Sequence, residues 1–463
     1  MENNQEFMVQ YLNKLGCKVN TKAFEYIDLA NEWYRNKKTK FHERETISGV
    51  KYDLERLNMG KRLCADDANL CEVIEINAQT NTSDNDIILD VLKSNNFDVM
   101  YRKQLEQMSA AGTVGAYLRI ENADLLENGE IRGGKIVINW VEAKNIVILN
   151  CVNNDILECA FMGGSYDIQG SKYSIVSFKL NNDKKYVCRT AYFDENGKFI
   201  TETTVTYGEV KPFAIMRVAE VNNLEEMAGY GLPKLFNAIP HLQILDMTFN
   251  MWFRDIDKSD KMVFLSKELG KYNTETSKYE LPSQECKKIF LHVDSSSLPN
   301  KDLLVQEYNP VVRISDVRES MELALSMLSL MFGFGTRKYT FEDGRIVTAT
   351  EYIGSRQDAM QEVNKQRFEA EQYICGIIKA IRWFKKSLNN IDLKDDEINI
   401  DFDDTYIVDK EARAESMRND ALSFDIPQLT LEYFMTKYNL SKKEAQAWLD
   451  NAQQKEDGDG DEE

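Results

Sequence analysis

The sequence predicts an α+β fold in which helical and antiparallel-sheet segments come in blocks rather than in alternating βαβ units. Three observations carry this. Apolar residues recur at helical spacing up to about residue 110, short β-branched runs fill about 114 to 220, and long amphipathic stretches occupy most of the remainder. All seven prolines lie at or after Pro212, and no Pro/Gly/Ser-rich linker divides the chain, so its domains should be interleaved rather than strung.

In chain order, Phe24, Ile27 and Leu29, then Leu54, Leu57 and Leu63, mark an amino-terminal helical lobe. Ile87, Ile88, Val91 and Leu92 continue it behind a Ser83-x-x-Asp86 start signal. The runs 135–139, 145–149, 173–178 and 203–207 read as strands of a mostly antiparallel sheet, with Asn128-Gly129 and Asp194 to Gly197 as hairpin turns. A helix follows over 232–258, through Leu232, Leu235, Ile239, Leu242, Leu245, Phe249, Trp252 and Ile256. Pro233 suits its first turn and Pro240 is placed to kink it. About fifty residues of strand and turn end near Pro310, and a second helix over 315–332 uses Val317, Met321, Leu325, Leu328 and Met331. The two helices therefore bracket a small inserted lobe.

Gly333-Phe334-Gly335 breaks that helix, a polar loop follows, and the longest helical stretch runs from about Ala349 to Leu388. Met360, Val363, Ala370, Ile374, Ile377, Ile381, Phe384 and Leu388 mark its apolar face. At about 1.5 Å per residue it would span roughly 60 Å. A strand alternates Ile398, Ile400 and Phe402 with Asn399, Asp401 and Asp403. Helices are expected at 409–421 and 441–453, the latter opened by a Ser441-x-x-Glu444 capping box, and the acids and glycines of 456–463 read as a disordered tail.

The 463 residues are 43% hydrophobic and include 48 aromatics, enough for at least one sizeable core. With 57 Lys and Arg against 76 Asp and Glu, the net charge of −19 opposes tight, wrap-around nucleic-acid binding. No apolar run reaches the roughly 20 residues of a membrane span, since the best, Leu323 to Gly335, is too short. Residues Met1 to Glu6 lack the basic and apolar regions of a secretory signal, so the chain is expected to stay in the cytoplasm of the cell that makes it. Eight cysteines with no Cys-x-x-Cys pair read as reduced thiols.

Catalytic patterns are incomplete. Gly164 through Gly170-Ser171-Lys172 has one residue too many for a phosphate-binding loop and reverses its Lys and Ser, while Gly333-Phe334-Gly335 follows a helix rather than a strand. His42, His241 and His292 belong to no metal-binding pattern, and Asp457-Gly-Asp459-Gly-Asp461 lacks the rest of a calcium loop. The acids Asp392, Asp395, Asp396, Glu397, Asp401, Asp403 and Asp404 suggest either a solvated face or, as an alternative, the carboxylates of a metal-dependent nuclease. The solvated face is the expectation, so no enzyme, no cofactor and no metal are expected.

Four segments mark the joints of this architecture: Gly112 to Tyr117, Pro212 to Met216, Gly229-Tyr-Gly231-Leu-Pro-Lys-Leu-Phe236, and Thr348-Ala349-Thr350-Glu351 ahead of a helix rich in Gln and Glu (Gln357, Gln361, Glu362, Gln366, Glu369, Glu371, Gln372). With the element order, they make the chain resemble the portal protein of tailed bacteriophages, the head-to-tail connector. The resemblance implies a portal-like fold: a helical and sheet wing at 1–230, stem helices at 231–259 and 313–333, and a clip at 260–312. It further implies a tunnel loop at 334–347, a long wing helix and strand at 348–404, and a crown with acidic tail at 405–463. The crown is short for the family.

The resemblance also implies a homo-oligomeric ring, a dodecamer or close to it, at one capsid vertex of the virion, assembled in the host cytoplasm. Its channel would pass double-stranded DNA non-specifically during packaging and ejection. Its partners would be the terminase, the head-completion adaptor, and the major capsid and scaffold proteins, with no membrane. Within the tunnel loop, Arg337, Lys338 and Arg345 stand against Glu342 and Asp343 and are expected to touch DNA in the channel, or else to pair with those acids. Thr348, Ala349, Thr350 and Glu351 form the loop-to-helix junction, with a hydroxyl cap as the structural account. Leu245, Phe249, Trp252, Met321, Leu325 and Leu328 are the expected stem-packing residues, and apolar residues on more than one helix face suit packing between subunits. A helical adaptor without a channel is the second alternative.

Overall fold

The computed structural model describes residues 3–259 except 80, 126–130 and 165–167, then 305–335, 338–339, 357–389 and 391–403. Shorter described pieces are 262–266, 271–275, 277–280, 290–293, 417–423, 427–438, 440 and 445–449. The fold is α+β, with mostly antiparallel sheets and helices in separate blocks.

The amino-terminal lobe holds helices α1 (Asn3–Lys14), α2 (Lys22–Tyr34), α3 (Met59–Ala68), α4 (Thr82–Ser94) and α5 (Phe97–Ala111). Strands β1 (Glu43–Glu45) and β2 (Lys51–Asp53) form a hairpin between α2 and α3, and β3 (Val73–Asn77) follows α3. Two expectations need correction. Leu54 and Leu57 lie on no helix, because the segment around them is held extended by backbone hydrogen bonds to side chains of a later helix. The N-cap of α4 is Asn81, whose Oδ1 accepts from the Ser83 amide at 3.3 Å, rather than Ser83 itself.

The sheet block divides in two. Strands β4 (Thr113–Leu125), β5 (Ile131–Glu142) and β11 (Phe213–Arg217) make a three-stranded sheet in the order β11-β4-β5. Strands β6 (Ile146–Val152), β7 (Asp155–Gly164), β8 (Tyr173–Leu180), β9 (Tyr186–Phe193) and β10 (Phe199–Thr206) form a sequential antiparallel meander. The predicted turn at 194–197 joins β9 to β10, with Asp194 exchanging backbone hydrogen bonds with Lys198 and Gly197. The predicted turn at Asn128-Gly129 lies outside the described residues. The sheets meet through an aromatic cluster in which Tyr117 stacks on Phe161 at 4.9 Å and Phe178 lies 5.5 Å from Phe213. Such pairs add to the roughly 1.5–3 kcal/mol that burial of each side chain contributes.

Helix α6 (Lys234–Asp257) contains Pro240, and α7 (Ile314–Met331) runs back alongside it. Between them in sequence lie β12 (Met262–Ser266), β13 (Lys271–Asn273), β14 (Lys278–Glu280), β15 (Phe290–Val293) and β16 (Val305–Tyr308). β12 pairs parallel with β15 and antiparallel with β16, while β13 and β14 form a hairpin. Helix α8 (Gln357–Asn389) lays Ala370, Ile374, Ile377, Ile381 and Phe384 on the β11-β4-β5 sheet, the face its periodicity predicts. Its predicted start, 349–356, lies outside the described residues. Strand β17 (Asn399–Phe402) then pairs antiparallel with β3, more than three hundred residues earlier in the chain.

The carboxy-terminal prediction is partly corrected. Residues 417–423 are helical and run two residues past the helix predicted at 409–421, residues 445–449 are helical within the one predicted at 441–453, and α9 (Pro427–Tyr438) is a further helix that no sequence pattern announced. Its first turn starts at Pro427, and its Leu431 meets Ala445 and Leu449 in a small cluster of its own. The predicted tail at 456–463 lies outside the described residues. Among the described residues no helix is long and apolar enough to cross a membrane.

Candidate assembly site on the paired helices

The α6/α7 pair has an apolar inner seam and exposed apolar residues on the outside of both helices. Leu245, Leu325 and Leu328 are buried in the seam with Leu235, Leu242 and Ala324, and Met321 packs against it. Four of the six predicted packing residues are thus brought together. The other two are not: Phe249 is half-buried and Trp252 is 39% exposed, meeting each other edge-to-face at 6.2 Å on the outside. Ile244, Met247, Phe253 and Ile256 of α6 are also exposed, as are Leu323, Met327 and Leu330 of α7. At the far end of the pair, Arg313 donates two hydrogen bonds to Asp255 at 2.9 and 2.8 Å, which fixes the antiparallel arrangement and holds the Asp255 carboxyl below its ordinary range.

At the near end the pair is locked into the sheets. The backbones of Gly112 and Gly231 cross so closely that a Cβ on Gly112 would lie 2.1 Å from the Gly231 carbonyl oxygen. A Cβ on Gly231 would lie 2.2 Å from the Gly112 oxygen. The Gly231 amide donates to Thr113 Oγ1 at 2.9 Å and the Val218 amide to the Gly112 carbonyl at 3.0 Å. Two of the segments that carry the family resemblance, at 112–117 and 229–236, therefore meet in space.

Beside this crossing, Lys234 is 3% exposed and places its Nζ 2.8 Å from Asp67 and 4.0 Å from Glu362 of α8. Burial alone would lower the lysine, but Asp67, Glu362 and Glu220 outweigh it and hold the ammonium above its ordinary range. Asp66, next in α3, accepts from Tyr339 Oη at 2.7 Å and from Arg62 Nε at 3.0 Å. One helical turn of α3 thus grips both the start of α6 and the chain just beyond α7. Gln366 of α8 completes the joint, its Oε1 accepting from the Ala219 amide at 2.9 Å and its Nε2 donating to the Arg217 carbonyl at 3.1 Å. Of the Gln and Glu residues that mark this helix in the sequence, Glu362 and Gln366 serve this joint.

Glu220 is the surplus charge. Burial raises its carboxyl, Lys234 opposing. The folded state therefore holds its proton more tightly than the unfolded chain does. The associated stability is complete below the usual carboxylate range and is lost as pH rises through the raised value. Glu220→Gln is expected to stabilise the protein slightly at pH 7, by less than about 1 kcal/mol given partial exposure. The gain should vanish near pH 4, as paired thermal melts at the two pH values would register.

Midway along α6, Asp246 Oδ1 accepts from the Leu57 amide at 3.0 Å and Oδ2 meets His42 Nε2 at 3.1 Å, while His42 Nδ1 lies 2.9 Å from Thr39 Oγ1. Burial raises the Asp246 carboxyl, the Leu57 and His42 hydrogen bonds opposing. Asn250 pairs with both backbone groups of Glu55, at 2.9 and 2.7 Å. His42 therefore has a structural partner that its sequence position did not reveal.

Of the predicted loop and junction residues, Arg337, Arg345, Thr348, Ala349, Thr350 and Glu351 lie outside the described residues. Lys338 is described, with its Nζ 5.2 Å from the centre of the Phe334 ring. Of the acids predicted as a solvated face or metal site, Asp395 takes Arg382 at 2.7 Å and Asp392 takes Lys386 at 2.8 Å, and Asp404 lies outside the described residues. Among the described residues no three His, Cys, Asp or Glu side chains are grouped to hold a metal ion.

Fold and site together define an α+β protein organised around a tethered, two-faced helix pair. No protein-family model and no curated protein matches the chain. It is similar to a solved structure described as the neck of a native GTA particle computed with C12 symmetry. The identity is 12%, over 84% of this chain and 89% of that one, with a TM-score of 0.38. A likeness of that degree assigns neither family nor function.

Proposed function

We propose that the chain is a portal subunit: a structural protein of a tailed-phage virion that assembles into a ring at one capsid vertex and conducts DNA in during packaging and out during ejection. The observation that carries this reading is the α6/α7 pair, whose two outer faces are both apolar and are built from different residues. A contact between unlike surfaces of two copies is head to tail, and head-to-tail contacts of fixed rotation close into rings. The small β insertion between the helices and the long α8 beyond them support the same reading, as the stem, clip and wing of such a subunit.

In this role the net charge of −19 is useful, because a conduit for a polyanion must not hold it. Arg337, Lys338 and Arg345 supply brief contacts from the tunnel loop. The motor is a separate terminase that docks on the ring, and a head-completion adaptor replaces it. The subunit itself performs no chemistry and needs no cofactor.

Native mass spectrometry with negative-stain electron microscopy of the purified chain tests this. Rings of about a dozen copies with a central hole are expected. A dimer that stays dimeric at high concentration would overturn the reading in favour of an adaptor without a channel. Neutralising Arg337, Lys338 and Arg345 together is expected to leave the ring intact and to impair packaging or retention of DNA. Unchanged packaging would remove that loop from the DNA path.

A further inference from the structure

Residues 35–62 run against the charge of the whole chain. They hold nine Lys and Arg against four Asp and Glu, a local +5 in a protein of −19. Some of these cations are matched within the chain: Lys38 lies 3.3 Å from Glu43 and 2.9 Å from Asp53, and Arg35 lies 3.6 Å from Glu142. Lys37, Lys40, Lys51 and Lys61 are exposed and have no ion-pair partner among the described residues. At the centre of the segment the β1/β2 hairpin carries Ile47 fully exposed at its tip and Val50 60% exposed beside it.

The hairpin is built to stand out rigidly. Its tip is closed by hydrogen bonds from the Thr46 amide to the Val50 carbonyl at 2.9 Å and from the Val50 amide to Thr46 Oγ1 at 3.0 Å. Its base is fixed to α6 by the Asn250–Glu55 pairing and by the Arg254 guanidinium, 4.1 Å above the Tyr52 ring. A rigid knob with an apolar tip and a basic surround fits an apolar socket with an acidic rim. A nucleic-acid backbone would satisfy the lysines but leave Ile47 and Val50 in water.

The same chain carries a surface with that chemistry. On α7, Asp316, Glu319, Leu323, Met327 and Leu330 follow one another at three- and four-residue steps, and all five are exposed. The line is acidic toward the start of α7 and apolar toward its end. Since tip and socket are both exposed, neither covers the other within one copy.

We propose that the 43–53 hairpin of one copy docks on the outer face of α7 of a second copy, Ile47 and Val50 entering the Leu323–Met327–Leu330 stripe while Lys40 and Lys51 face Asp316 and Glu319. The contact is head to tail and rests on the ring reading for its closure. It also lessens the repulsion between neighbours that each carry a large negative charge.

The test uses the full chain in native mass spectrometry and sedimentation over a concentration series. Ile47→Asp is expected to raise the concentration for half-assembly by about tenfold or more, with an unchanged thermal melt because the residue touches only solvent within a copy. The pair Lys40→Glu and Lys51→Glu should weaken assembly similarly, and adding Asp316→Lys and Glu319→Lys in the same chain should restore it. Assembly of Ile47→Asp at the wild-type concentration would overturn the proposal. So would loss of binding to a random-sequence DNA duplex in the lysine variants with assembly untouched, which would make the patch a nucleic-acid surface. If the wild type forms a dimer that Ile47→Asp dissociates, the docking stands and the ring falls. A wild type that stays monomeric removes both.

Discussion

Alanine at Gly112 is expected to leave little or no folded protein. The new Cβ would sit 2.1 Å from the Gly231 oxygen and 2.8 Å from both the Gly231 carbonyl carbon and the Pro233 nitrogen. All three are backbone atoms with no freedom to swing away. Gly112 also has φ +81°, which adds the ordinary cost of a side chain in the left-handed region. The loss should exceed about 4–5 kcal/mol, a large share of the 5–15 kcal/mol that holds a typical domain together. Soluble yield and denaturant melts check this. Gly163→Ala is the matched control, because a Cβ there meets nothing within 4 Å and the change should stay within about 0.5 kcal/mol. Wild-type stability in Gly112→Ala would mean that the two backbones do not cross as described.

Replacing Lys234 with methionine should cost about 3–5 kcal/mol, because the substitution strands the buried Asp67 carboxylate beside Glu362 with no cation between them. The desolvation cost of the charges left behind sets this figure rather than the worth of the ion pair. Pairing Lys234→Met with Asp67→Leu should therefore recover much of the loss, since apolar replacement of both partners removes the stranded charge. Guanidinium unfolding of the single and double variants measures the difference. Equal destabilisation in both would assign the effect to packing around α3 and α6 instead of charge.

The parts of the fold that sequence made legible are those with one repeating period. The apolar stripe of α8 emerges as predicted because a single helix face buried on one surface imposes a strict spacing, and the bounds of α6 and α7 fall within about two residues of those predicted. The locks between elements were not legible. Lys234 and Asp67 are 167 positions apart, Asn250 and Glu55 are 195, and His42 and Asp246 are 204. No local pattern announces such pairs. The resemblance picked out Gly112 and Gly231, but only the structure reveals that the two glycines are one crossing. Leu54 and Leu57 have helical spacing but lie on no helix, because the His42 carbonyl takes the Leu54 amide and side chains of α6 take the amides of Glu55 and Leu57. The basic run at 35–62 was visible all along, yet a chain total of −19 conceals a local +5.

The main core is finished late in synthesis. The β11-β4-β5 sheet is complete once Arg217 has emerged, but the α8 residues that cover its open face, from Ala370 to Phe384, come some 150 positions later. At about 5–20 residues per second, the nascent sheet presents Ala214, Met216 and Ile138 to water for roughly 8 to 30 s before its lid arrives. The yield of this protein should thus depend on holdase capacity in the cell that makes it, and chains truncated before residue 370 should aggregate even with β4, β5 and β11 all intact.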